Sequence, residues 1–193
     1  MEQGSAKALA HPEGDPWYYK VPASLIMDAG RPADYFREHR VMRFDRFNLT
    51  EMVIQSGPKA PPIKLNKDEK GDWYLIEPVS AKGKAVASKV YEFLDSLENL
   101  SAEGFVDNPA PNSETGLDNP PAVILYGKGE NDKTKKELAR LVLGKKKDSQ
   151  RYARGSGPQV FLVTGSFLMP KGPETFTETG PTPEPVNNTN ELP

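Results

Sequence analysis

One segment limits the possible folds more than any other: "SAKGKAVASKVYEFLDSLENL", which follows Pro78. Val86, Val90, Phe93, Leu94, Leu97 and Leu100 recur at steps of three and four, while Lys84, Lys89, Glu92 and Glu98 occupy the other face. That spacing predicts a helix over 84–100. A helix with a single apolar stripe needs a single partner surface, and the segments around it read as strands. The chain is therefore expected to be α+β: a twisted, mostly antiparallel sheet of six or seven strands with this helix packed on one face.

The strand readings rest on alternation and on β-branched or aromatic content. "NLTEMVIQ" alternates. "IKLNKDEKGDWYLIEP" reads as a hairpin whose turn is "KDEKGD". "PAVILYGKG", "KELARLVLG", "QRYARG" and "PQVFLVTG" follow as successive strands between spacers of Gly, Asn and Lys. "KELARLVLG" also fits a helical period through Leu138, Leu141 and Val142, but its shortness and the "GKKKDSQ" after it favour a strand. The Trp73–Glu77 stretch could be the lip of a site or a seam between elements. Pro78 drives Glu77 towards extended geometry, which suits a strand exit, so the seam is preferred.

Four parts are expected along the chain. Residues 1–16 are small, polar and broken by proline, and form a flexible leader. Residues 17–47 hold a short strand ("PWYYKV"), a helical turn stopped by Gly30, and a short helix in "RPADYFREHRV". Residues 48–169 form the complete α+β domain. Residues 170–193 are acidic, rich in Pro and Thr and poor in aliphatics, and are expected to be disordered. "VTGSFLMP" (163–170) aligns without a gap on "VPASLIMD" (21–28), pairing Val163 with Val21, Ser166 with Ser24 and Met169 with Met27. This echo suggests a repeated unit, with 17–47 closing a preceding copy and linking it to the next.

Chemistry is sparse. The sequence has no cysteine, which removes thiolate catalysis, disulfides and cysteine-based zinc sites. Its two histidines, His11 and His39, have no metal-ligand spacing. "GKKKDS" lacks the glycine that a phosphate loop requires, and Ser166 lacks a nucleophile elbow. No catalytic, metal or cofactor residue is assigned and no cofactor is expected. An alternative reading, a hydrolase, would need carboxylates such as Glu77 and Asp107 gathered in a cleft.

Charge is the most asymmetric feature. The whole chain is at −2, yet between residues 128 and 154 ten cations face four carboxylates, a local net charge of +6. Lys128, Lys133, Lys135, Lys136, Arg140, Lys145, Lys146, Lys147, Arg151 and Arg154 form a candidate basic interaction surface along a sheet edge, suited to an anionic polymer or lipid. Lysines in such positions also solubilise turns and block edge pairing. With a pI near 5.8, nucleic acid is not the expected partner. No apolar run is long enough to span a bilayer and the start lacks a secretory apolar stretch, so membrane association is expected only through an anchor outside this sequence.

Several of these segments carry a resemblance. "WYLIEPVSAKGKAVASKVYEFLDSLENL", "TGLDNPPAVILYG" and "LVLGKKKDSQRYARGSGPQVFLV" are similar to the bacterial domain of unknown function 4340 family. The similarity marks are Trp73, Pro78, Gly116, Leu117, Pro121, Gly144 and Tyr152. "FREHRVMRFDRFNLTEMVI" resembles the arginine-rich link that precedes a unit of that family. The family has no assigned activity, so the resemblance transfers no catalytic residue. It implies a non-enzymatic module outside the cytoplasmic membrane, periplasmic or on the membrane's outer face. Members typically carry a membrane anchor and repeated copies, and occur beside gliding-motility-type ABC transporter components. The implied partner is therefore a membrane transport protein of the cell envelope.

Overall fold

Alternating burial along the strands shows how the apolar residues sort themselves. In the computed structural model, which describes residues 6–128 and 134–178, contacts divide the chain into two units, Met1–Glu38 and His39–Pro193. In the second unit the strands are β3 (Leu49–Gln55), β4 (Ile63–Lys67), β5 (Trp73–Glu77), β6 (Gly83–Lys84), β7 (Ala102–Val106), β8 (Ala122–Lys128), β9 (Lys135–Lys147), β10 (Gln150–Arg154) and β11 (Val160–Thr164). They form one sheet in the order β6-β5-β4-β3-β8-β9-β10-β11-β7, and every pairing is antiparallel. The α+β class and the mostly antiparallel sheet are as the sequence predicts.

The core lies on one face of this sheet. Met52, Ile54, Leu65, Leu75, Val123, Leu125, Leu141, Ala153 and Val163 point into it and are completely or almost completely buried. The helix α2 (Ala87–Glu98) meets them with Val90, Phe93, Leu94 and Leu97, the stripe read from the sequence. It is shorter than 84–100 at both ends. Gly83–Lys84 pairs with β5 as a short strand, and Val86 is the last extended residue before the helix.

The sheet has two strands more than the upper expected number. All seven anticipated strands are present, including "KELARLVLG", which extends to Lys147 and turns at Asp148 with φ of 54°. The additions are β6 and β7. The first is two residues long, and the second, "AEGFV", contains a glycine and shows little alternation. Neither has a local signal, and pairing with β5 and β11 is what makes them strands.

The end of the described chain departs from expectation. Within the stretch expected to be disordered, Pro173–Phe176 forms a 3-10 turn and Phe176 is completely buried. Phe176 packs its ring edge-on against Phe93, with ring centres 5.9 Å apart, and its carbonyl accepts the Val86 N–H at 2.8 Å. Lys89 donates to the Thr177 carbonyl at 2.6 Å. The segment is ordered because it satisfies one of the unpaired N–H groups at the start of α2 while burying an aromatic ring. Residues 179–193 lie outside the described part of the structure.

The first unit, considered alone, is a hairpin of β1 (Lys7–Ala10) and β2 (Tyr19–Pro22), the short helix α1 (Ala23–Ala29) and a 3-10 turn at Ala33–Phe36. A strand at 7–10 replaces part of the expected leader. No residue of α1 is buried, and Trp17, Tyr18, Leu25, Ile26 and Met27 are each more than half exposed. The two echoed octapeptides differ locally: residues 23–29 are helical, whereas Gly165 and Ser166 form a turn after β11.

Candidate functional site

The second sheet face is built from the positions between the core residues. Register places Gln55, Ala122, Val142, Arg154, Val160 and Val106 in one row across β3, β8, β9, β10, β11 and β7. The next row holds Lys64, Val53, Ile124 and Arg140. Val53, Ile124 and Val142 are half-buried, so this face has an aliphatic strip that the helix side does not cover.

Part of the face is roofed by the connection from β7 to β8. It contains the one-turn helix α3 (Asn112–Thr115), closed by Gly116 with φ of 75°, followed by buried Leu117. The roof packs close to Gly144 of β9. A Cβ at that position would fall on the Thr115 carbonyl oxygen and come within 3.0 Å of the Tyr152 Cβ. Glycine is needed here because backbone approaches backbone.

Beside this roof lies a cleft of about 540 Å³. Ala122 and Val142 form its floor, Leu117, Pro120 and Pro58 its apolar walls, and Arg140 and Arg154 its cationic side. The two arginines are in different electrostatic states. Arg140 makes a two-pronged bond to Glu137, Nε to Oε1 at 3.0 Å and Nη2 to Oε2 at 2.7 Å, and its N–H donates to Ser156 Oγ at 3.1 Å. That pairing raises the Arg140 pKa and holds the Glu137 carboxyl below the ordinary carboxylate range. Arg154 instead donates through Nη2 to the neutral Asn112 Oδ1 at 2.8 Å, and its buried Nε meets no acceptor.

The other candidate basic residues are distributed, not gathered. Lys135 is bonded to buried Glu51 and sits 3.8 Å over the Tyr126 ring. Lys145 donates to the Ser113 carbonyl at 3.0 Å, and Lys147 lies 6.0 Å above the Tyr152 ring. Arg151 pairs in register with core-facing Val163, donates to the Gly144 carbonyl at 2.8 Å, and has its pKa lowered by burial. Lys146 stands opposite Arg151 and Lys136 opposite Gly127, while Lys128 pairs with Lys135 at the far end of β8. Lys133 lies outside the described residues. Alternation sends neighbouring cations to opposite faces, so of the nine that are described only Arg140 and Arg154 meet in the cleft.

The carboxylate pair named for hydrolysis does not assemble. Glu77 ends β5 and Asp107 follows β7, seven strands away in the sheet order, and neither lines the cleft. The cleft's further contributors, Pro58, Asn119 and Ser156, come from loops far apart in sequence, and Asn112, which holds Arg154, comes from α3. Nothing in their local pattern marks them.

Fold and site together define an α+β domain with an antiparallel sheet, covered by a helix on one face and bearing a cleft on the other. Residues 6–120 match the sequence profile of the Domain of unknown function (DUF4340), and the chain belongs to that family. The match takes in the first unit and the second as far as the loop before β8. No curated protein and no solved structure matches the chain. Among the described residues no helix is long and apolar enough to cross a membrane.

Proposed function

We propose that this chain is a non-enzymatic interaction module, working outside the cytoplasmic membrane as an accessory to an envelope ABC-type transport system. The observation that supports an interaction role is the asymmetry of the sheet. One face is sealed by α2 and the Phe176 segment, whereas the other leaves Val53, Ile124 and Val142 half-buried around a cleft. A half-covered aliphatic strip bordered by charge is the composition of a protein-binding surface. The envelope setting and the transport partner rest on the family resemblance.

A photo-crosslinking amino acid at Val53, compared with one at Glu92 on the exposed side of α2, tests the reading in native cells. Adducts from position 53 to a membrane transport component, absent from position 92, are the expected result. Adducts confined to cytosolic proteins, or equal from both positions, would overturn it.

A further inference from the structure

We infer that the cleft beside α3 is a recognition site for a carboxylate carried on a short, extended, apolar peptide segment, with Arg154 as the carboxylate's partner. The inference rests on the interaction-module reading and names the chemistry of the segment that the module receives.

The argument starts from the energetic state of Arg154. A guanidinium that is half removed from water ordinarily gains a carboxylate or a full set of acceptors. Arg140, one strand away, has the carboxylate: Glu137 accepts from its Nε and Nη2 and neutralises it. Arg154 has one neutral acceptor, Asn112 Oδ1, and a buried Nε with none. Among the described residues no carboxylate lies within ion-pair reach of it. Asp118, also on the cleft wall, makes no bond to it. Of the two cleft arginines, Arg154 is therefore the one whose guanidinium has no carboxylate bonded to it, and it stands next to an uncharged floor.

The surroundings select the kind of anion. Ala122 and Val142 on the floor and Leu117, Pro120 and Pro58 on the walls offer apolar contact that a free inorganic anion would leave unused. The cleft lies at the Ala122 end of β8, beside Arg140 and Val142 of β9, and by register the half-buried Ile124 and Val53 of the next row continue its floor, which suits an extended chain better than a compact ligand. Its volume of about 540 Å³ falls within the range of pockets that hold groups of a few residues. A guanidinium also favours planar, two-oxygen acceptors, which a carboxylate supplies.

The test uses the full chain, isotopically labelled, and two peptides: acetyl-Pro-Val-Glu-Val-Pro-amide and its Gln counterpart. The Nε–H signal of Arg154 and the amide signals of Gly155, Ser156 and Asn119 are followed by NMR. The Glu peptide is expected to shift them saturably, and the Gln peptide to bind at least about tenfold more weakly, the loss of one charge-assisted hydrogen bond. R154Q should abolish the difference between the two peptides. A122E, which leaves Arg154 intact and puts a carboxylate on the cleft floor, should weaken the Glu peptide selectively. Equal shifts from both peptides, no shift at millimolar peptide, or shifts reproduced in full by glutarate alone would each overturn the assignment. The crosslinking from Val53 is independent of Arg154, so loss of the peptide site and loss of the interaction role give different results.

Discussion

Trp73 is buried to 1% exposure, and its indole N–H meets no acceptor. Its value to the fold is the ring's volume, with the N–H a cost against it. Urea unfolding should therefore show W73A losing about 3–5 kcal/mol, whereas W73F loses much less, under about 1.5 kcal/mol, because it deletes the orphaned donor along with part of the ring. Gly144 is limiting in the opposite sense. G144A would drive a methyl into the Thr115 carbonyl and should cost about 1–3 kcal/mol, lifting α3 off β9. The Glu137–Arg140 pair gives a pH signature of known sign. Arg140 depresses the folded-state pKa of Glu137, so its stabilisation is complete above the ordinary carboxylate pKa of about 4.3 and is lost as pH falls through the lower folded value. With the Glu137 side chain 34% exposed the effect stays below about 1 kcal/mol. The stability difference between wild type and E137Q should be flat from neutral pH down to about pH 5 and shrink towards zero in stronger acid.

At the scale of elements, α2 depends on chain that is remote from it. Its N-terminus has no side-chain cap; instead, the Phe176 carbonyl accepts the Val86 N–H, and the Phe176 ring closes over Phe93. F176A should therefore cost about 3–5 kcal/mol in denaturant unfolding, although the residue sits in a Pro- and Thr-rich segment. The other end of the helix is held differently, by Arg46 donating to Glu98 from Nε at 2.7 Å and to Asp95 from Nη2 at 2.6 Å. Those groups are 30–57% exposed, so R46A should cost no more than about 1 kcal/mol, and the loss should diminish in high salt. The contrast between the two substitutions separates aromatic burial from surface pairing on one helix.

For the whole molecule, the distribution of burial divides the chain unequally. Among the described residues the buried apolar set begins at Val41, and the large apolar side chains of the first unit stay exposed. A chain beginning at His39 should thus keep the cooperative thermal transition of the full chain, with Tm shifted by less than about 4 °C. A larger loss would show that the first unit contributes to the stability of the second.

The sequence alone determined what period and composition encode: the stripe of α2, the seven strands with clear alternation, the α+β class and the absence of any cysteine chemistry. These are local properties, readable because a side chain's direction repeats every 2 or 3.6 residues. The tertiary structure decided what depends on partners. β7 is a strand because β11 lies beside it, and Phe176 is ordered because α2 has a free N-terminus to cap. Of the described cations in this run, which look alike in sequence, register and a buried Nε without an acceptor single out Arg154, because charge becomes a site where the fold limits water and supplies no counter-ion.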